Sequence, residues 1–484
     1  MNEFIPLMVI IPLASALLIY LFSGKNNLIK AFAAIVAIVI PIIPLIANYG
    51  MHYFGGHPPM VNNLTGVLYH PAIVYSFGSM QQLFLTVFGI LVFLVVLIYL
   101  NKYKKASGPY LFLIFMGTAA ITALMLSQDI FHMYVFFEIA AIAQVGIVAA
   151  STIKNRYETA LKYMMIGSIG GPILLLGIGF LLAIFGSVNI TDIVQGLSNS
   201  VISLSSPIFL ITCGMLFFGW LYVSGLPPFH TIKSSVYSTA EPHAAALLQA
   251  FSVLTMVSIL IALFRIFSPL KIFEILLIVF SLLALILSIS MALVQTDFKK
   301  MIGFLAVGEL GFIGLGIGLG TELAITAGLF QALNEIIVTA LLFIGFGAIA
   351  DITKKTDIRQ IGGLIGHYPK LGIMMLIGGL AMAGVPPLNG FQSKLMLVQA
   401  SLDAGFPELS VITILISIAT FTAFVKIFHS MFLKSKPNAL EISNEKIPKS
   451  TMFAVSILLL LCIIFGLFPS IATNAISGLV GGLL

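Results

Sequence analysis

Along the chain, apolar runs of roughly 20 residues recur between short polar interruptions, each run long enough to cross a bilayer core as a helix. The pattern predicts fourteen spans, at 4–22, 29–48, 82–100, 110–127, 129–150, 161–185, 207–224, 242–268, 271–293, 299–320, 322–348, 369–403, 409–432 and 451–470. The predicted fold class is an all-α integral membrane protein. Two apolar stretches are interrupted in the same way, by Gly225-Leu226-Pro227-Pro228-Phe229 and by Gly384-Val385-Pro386-Pro387-Leu388. Consecutive prolines remove two amide donors, so no helix runs through them unaltered. In a bilayer, the freed carbonyls are tolerated only where they are buried in protein or line a wet cavity. Matching breaks in two halves of a membrane protein point to an internally repeated ion carrier with its site near the breaks.

Composition agrees. Of 484 residues, 60% are hydrophobic and 8% charged, and the mean hydropathy is +1.14, more apolar surface than a soluble core could hide. The two cysteines, Cys213 and Cys462, lie in apolar runs without ligand spacing, which argues against a disulfide framework, a zinc site or an iron–sulfur cluster. No Gly-rich nucleotide loop follows a strand and no haem-type histidine pair stands out, so the chain is predicted to bind no cofactor. The first apolar run lacks a basic flank and a small-residue cleavage site, and is expected to be a retained helix. The longest polar stretches, 49–80 (with His52, His57 and His70) and 433–450, are too short for a soluble domain.

The net charge of +6 does not point to nucleic acid once the cations are located. Nineteen of the 23 Lys and Arg residues fall in alternate loops on one side, Lys233 among them. Arg265 and Lys271 sit at the edge of the other side, and Lys394 and Lys426 fall within spans. The positive-inside rule makes the lysine-rich side cytoplasmic and puts both termini outside a multi-pass cell-membrane protein.

Ionisable groups within spans are costly in lipid and are functional candidates by default. Glu138 lies mid-span, with Gln144 almost two turns on; it is either part of an ion route or a neutral acid bonded to a neighbouring helix. Lys394 follows the second break, where it either exchanges protons with water in the gap or snorkels to the interface. His230 and Lys233 follow the first break, with Glu241 and His243 beyond; they form either a proton relay or a polar loop near the cytoplasmic surface. Glu309, Glu335 and Lys426 are further mid-span charges, and the set suggests a polar axis through the membrane interior.

These residues resemble the antiporter-like subunits shared by respiratory complex I, Mrp-type multisubunit cation/proton antiporters and energy-converting membrane-bound hydrogenases. The resemblance spans roughly residues 80–470 and rests on ordered motifs. They are the Glu138 span, Ala160-Leu-Lys162-Tyr163, Leu226-Pro-Pro-Phe-His230-Thr231, Asp297-Phe-Lys-Lys300, the very specific Gly384-Val-Pro-Pro-Leu-Asn-Gly-Phe-Gln-Ser-Lys394, and Gly466-Leu-Phe-Pro469. It implies about fourteen helices with two inverted five-helix repeats, each containing a broken helix. The division becomes 1–100 for the N-terminal helices, 110–268 and 271–432 for the repeats, and 451–484 for the C-terminal helix. Glu138 matches the family's acidic partner in the first half-channel, and Lys394 the lysine of the second broken helix.

The departures concern the centre of the axis. Family members usually carry a lysine shortly before the first break, where this chain has Val223 or a neighbouring apolar residue, and often a Lys or His in the next span, where it has Leu254-Thr-Met256-Val257. The Asn-His-x-x-x-Lys pattern of the family reads Asn334-Glu335 with Thr339, and a Gln common near Glu309 has become acidic. Either the route is rebuilt from Lys233, Glu309 and Glu335, or this copy has lost pumping and couples a competent paralogue; retention of some ion translocation is the favoured reading.

The resemblance implies a non-redox subunit that moves H⁺, with Na⁺ as a coupled or alternative ion, inside a hydrogenase, sulfur reductase or similar respiratory complex. An Mrp-type exchanger is the alternative parent. Expected partners are other membrane subunits, antiporter-like paralogues among them, and peripheral redox subunits holding any iron–sulfur or nickel centres. A stand-alone antiporter and a purely structural subunit remain as further readings.

Overall fold

The computed structural model describes residues 4–23, 25–53, 60–63, 74–104, 106–151, 155–199, 201–437 and 446–481. His57, His70, Lys105, Lys154 and the side chain of His52 lie outside the described set. The chain begins with α1 (Phe4–Leu21) and α2 (Asn26–Tyr53), followed by an antiparallel strand pair, β1 (Met60–Asn63) and β2 (Val74–Phe77). Next come α3 (Ser79–Lys102), α4 (Gly108–Leu126), α5 (Ile130–Ala149), α6 (Arg156–Phe185) and the short α7 (Ile190–Ser198). The first broken helix is α8 (Pro207–Ser224) with α9 (His230–Thr239). It is followed by α10 (Pro242–Phe267), α11 (Lys271–Val294), α12 (Phe298–Gly318), α13 (Glu322–Thr353) and the single turn α14 (Leu364–His367). The second broken helix is α15 (Pro369–Ala383) with α16 (Asn389–Asp403), and α17 (Pro407–Phe428), α18 (Lys449–Leu467) and α19 (Ser470–Val480) complete the chain.

Twelve of these helices are individually long and apolar enough to cross a membrane. With α1 and the α15–α16 pair they give about fourteen crossings, as the apolar pattern predicts. Two details depart from that pattern. Residues 230–239 form a helix rather than a polar loop, so Lys233 does not belong among the loop cations. Past the last predicted span, α19 adds a helix of 11 residues, too short to cross by itself.

The two breaks have the same construction. α8 ends in Gly225 at φ +70° and α15 in Gly384 at φ +79°, a left-handed conformation that glycine adopts without a Cβ penalty. The following N–H groups turn back to cap the helix, Leu226 onto Leu221 O at 3.2 Å and Val385 onto Leu380 O at 2.9 Å. A cis Pro-Pro bond then redirects the chain at 227–228 and at 386–387.

Lipid is as apolar as any core, so burial rather than amphipathicity distinguishes the inner helices from the outer. The apolar windows of α10, α12 and α13 are 94%, 100% and 94% buried, against 33% for α6 and α17. Side-chain caps start several of the helices that matter. Asp129 Oδ1 accepts from His132 N at 2.7 Å before α5, and Asp297 Oδ1 accepts from Lys299 N at 2.9 Å before α12. Thr321 Oγ1 accepts from Ala324 N at 3.3 Å before α13. Each satisfies an amide that a helix start leaves without a partner, and these helices carry Glu138, Glu309 and Glu335.

Candidate ion-translocation site

An α-helical carbonyl bonds the N–H four residues on. For Val223 that position is Pro227, and for Met382 it is Pro386; neither has an N–H. In both places a lysine from the far half of the same broken helix supplies the donor. Lys233 Nζ reaches Val223 O at 2.7 Å, and Lys394 Nζ reaches Met382 O at 2.7 Å. Both lysines are 4% exposed, so Lys394 does not snorkel and Lys233 is not part of a surface loop. The Lys233 amine comes to the backbone of Val223, in the stretch just before the first break.

Lys394 is also paired. Its Nζ lies 3.0 Å from Glu309 Oε1 on α12 and 4.8 Å from the centre of the Phe312 ring. Glu309 is 1% exposed, and its second oxygen accepts from Gln331 Nε2 at 3.0 Å, while Thr420 of α17 donates to Oε1 at 3.3 Å. Gln331 Oε1 accepts from Ser393 Oγ at 2.6 Å, and Asn334 Nδ2 donates to Ser393 Oγ at 3.0 Å and to Asn389 O at 3.1 Å. Asn389 Nδ2 donates back to Asn334 Oδ1 at 2.9 Å. A buried ion pair is tolerable only when its remaining valences are met in this way.

From this pair a line of buried polar groups runs back to the first break. One turn from Gln331 on α13 stands Glu335, whose Oε1 accepts from Gln249 Nε2 of α10 at 3.2 Å. One turn from Gln249 stands Ser252, which accepts from Tyr237 OH of α9 at 3.0 Å. Tyr237 is one turn from Lys233. Hydrogen bonds between helices therefore alternate with single-turn steps along them from Lys233 through Tyr237, Ser252, Gln249, Glu335 and Gln331 to Glu309, and the ion pair joins Glu309 to Lys394. Every member of this line is buried.

Glu138 lies beyond the Lys233 end and is only half-buried. It packs against Gly171 of α6, while Tyr222, the neighbour of Val223, packs against Gly167 and Gly170 on the same stretch. On α5, the large apolar side chains one turn to either side of Glu138, Val135 and Ile142, are exposed.

Other candidates fall elsewhere. Lys426 Nζ donates to Leu293 O at 2.6 Å and to Gln295 O at 2.8 Å, so it caps the C-terminal end of α11 and does not join the line. His243 is buried in a separate cluster. Its Nε2 lies 3.3 Å from Tyr110 OH and its Nδ1 3.8 Å from Glu241, which accepts from Tyr103 OH at 2.6 Å. Lys102, in turn, bonds Asp351 at 2.9 Å beside a cavity of about 470 Å³ that His243 helps to line. His243 is thus not in series with His230 and Lys233. His230 opens α9, half-buried, with Nδ1 unbonded among the described residues.

Sequence reasoning did not pick out Gln331, Gln249, Tyr237, Ser252 or Thr420. A signal existed: amides and hydroxyls one turn apart on otherwise apolar helices mark a polar stripe.

Residues 127–420 match the family described as NADH:quinone oxidoreductase/Mrp antiporter, TM. An uncharacterized protein of Methanocaldococcus jannaschii is 35% identical over 98% of this chain and 96% of its own. An Na(+)/H(+) antiporter subunit of Bacillus subtilis is 26% identical over 96% of this chain and 94% of its own. Among solved structures, a chain of the membrane-bound sulfane sulfur reductase, an archaeal respiratory membrane complex, superposes with a TM-score of 0.88 at 24% identity, covering 99% of this chain and 97% of its own. The chain belongs to the NADH:quinone oxidoreductase/Mrp antiporter family and is one of its antiporter-like membrane subunits.

Proposed function

We propose that this subunit carries protons across the membrane along the buried line from Lys233 to Lys394, as one ion-translocating part of a multisubunit, redox-driven complex. The observation that carries the reading is the continuity of that line between the two breaks, each closed by a lysine. Its centre uses tyrosine, serine, glutamine and glutamate where relatives of this kind use lysine and histidine, which favours a rebuilt route over a lost one.

Glu138 is the coupling residue in this reading. It sits at a half-exposed face, where a neighbouring subunit can set its charge. A change of charge there alters the proton affinity of the next base, because ionisable groups interact strongly in a low-dielectric interior. Displacement of charge towards Lys394 weakens its pairing with Glu309, and the proton leaves on the opposite side. The lysine-rich face is taken as cytoplasmic, with both termini outside the cell membrane.

The chain's own residues hold and pass protons; redox centres are assigned to partner subunits. A second reading, an Mrp-type exchanger working on Na⁺ and H⁺, is favoured by the 26% identity with the Na(+)/H(+) antiporter subunit of Bacillus subtilis. Native purification separates the two parents: an iron–sulfur or nickel subunit in the complex supports the first, and its absence the second. The translocation role is tested with Glu138→Gln in inverted vesicles holding the assembled complex. Proton uptake is expected to vanish while subunit composition is unchanged; wild-type uptake would remove Glu138 from the mechanism.

A further inference from the structure

Arg265 stands apart from the proton line. It lies in the last turn of α10, on the lysine-poor side. Its Nη1 donates to Gln128 Oε1 at 2.7 Å, and Gln128 Nε2 donates to Ser76 Oγ at 2.6 Å. Backbone bonds hold Gln128 as well, its N–H to Val74 O at 2.9 Å and its carbonyl to Ile190 N at 3.0 Å. The guanidinium is thus fixed in orientation by a neutral amide. No carboxylate comes within ion-pair distance of it among the described residues, whereas Lys271, the other cation at this side, is bound to Glu274 at 2.5 Å. A planar guanidinium with unused donors matches the oxygen pattern of a phosphoryl group.

Its surroundings extend the match. Arg265 forms part of the wall of a cleft of about 450 Å³ whose other walls include Val194, Leu197, Ile202, Ser203 and Leu204. The short helix α7 buries Ile190 and Ile193 in the protein and leaves Val194 and Leu197 half-buried at the cleft. Its one acid, Asp192, accepts from Ser187 Oγ at 2.7 Å. A fixed, unpaired cation set against apolar walls at the end of a membrane span is complementary to an anionic headgroup carried on acyl chains.

We infer that this cleft is a phosphate-binding site, filled in the membrane by the headgroup of an anionic phospholipid. The test uses the intact complex, exchanged into phosphatidylcholine bilayers containing phosphatidylglycerol, extracted and washed. Native mass spectrometry then reads the phosphatidylglycerol retained. Wild type keeps it; Arg265→Gln, which removes the charge, retains about tenfold less, the loss expected for one charge-assisted contact. Leu197→Trp narrows the cleft with Arg265 intact and loses the lipid too, which keeps the test decisive if the first variant fails to assemble. Inorganic phosphate is added to stripped complex as a second arm. Heat protection of wild type but not of Arg265→Gln supports the phosphate chemistry, and without lipid retention it assigns the source to the free anion. Equal retention and equal protection in all three proteins overturns the inference, as does a partner subunit's carboxylate paired with Arg265 in the assembled complex.

Discussion

Neutralising one member of the Lys394–Glu309 pair should cost both stability and transport, while neutralising both should cost transport alone. The nitrogen–oxygen separation is 3.0 Å, and at an effective dielectric of about 20 the attraction is roughly 5.5 kcal/mol. Desolvation of the two ions cancels most of this, since each loses several kcal/mol of hydration on burial. The pair itself is then close to neutral for folding, but an orphaned partner is not. Glu309→Gln leaves an ammonium facing neutral acceptors only, the amide oxygen of the new glutamine and Met382 O, with the Phe312 ring, and Lys394→Met leaves a carboxylate facing Gln331 and Thr420. Each single change is expected to destabilise the subunit by about 3–5 kcal/mol. The double variant should recover most of that loss, so the cycle yields a coupling energy of several kcal/mol. Thermal unfolding of the purified complex measures the stability side, and dye-monitored acidification of vesicles measures transport. All three variants should be inactive. Full transport in Glu309→Gln and Lys394→Met, or a double variant no more stable than the singles, would refute the assignment of this pair as the working centre.

Two further outcomes follow from the breaks and the helix ends. Lys233→Met removes the donor that replaces the missing Pro227 amide and should abolish proton transport; adding Val223→Lys should restore a measurable fraction, because the amine returns to the same part of the break. Failure of that second change to raise activity in the vesicle assay counts against Lys233 as the relocated lysine. Lys426→Met uncaps α11, and loss of helix-terminal hydrogen bonds is expected to lower stability by about 1 kcal/mol while transport stays near wild type. A collapse of transport with unchanged stability would instead return Lys426 to the ion route.

The membrane fold was largely legible because its determinants are local. A 20-residue apolar run and a Pro-Pro break need no knowledge of neighbours, so helices such as α8 and α15 could be bounded from residue order. Helix α9 was harder: His230–Thr239 is polar and short, and only packing against α6 and α12 makes it a buried half-helix. The pairings within the site were not legible for a related reason. Lys394 and Glu309 are 85 residues apart, and Gln249 and Glu335 are 86 apart. Which charged residue meets which depends on how the helices assemble, and the short polar stripe on each apolar helix marks an inward face without naming the helix it meets. Lys426 looks like Lys394 in sequence, yet one plugs the end of a neighbouring helix and the other holds an acid.

The lysines at the two breaks have one more consequence. Each ammonium stands in for a peptide donor that proline cannot provide, so it cannot swing away without stranding a buried main-chain oxygen, at roughly 1–3 kcal/mol. A cation that departs must therefore be replaced by another donor or by a local rewinding of the backbone. Side-chain departure and helix geometry are mechanically tied at Val223 and Met382, which makes each break a latch that registers whether its own lysine is seated.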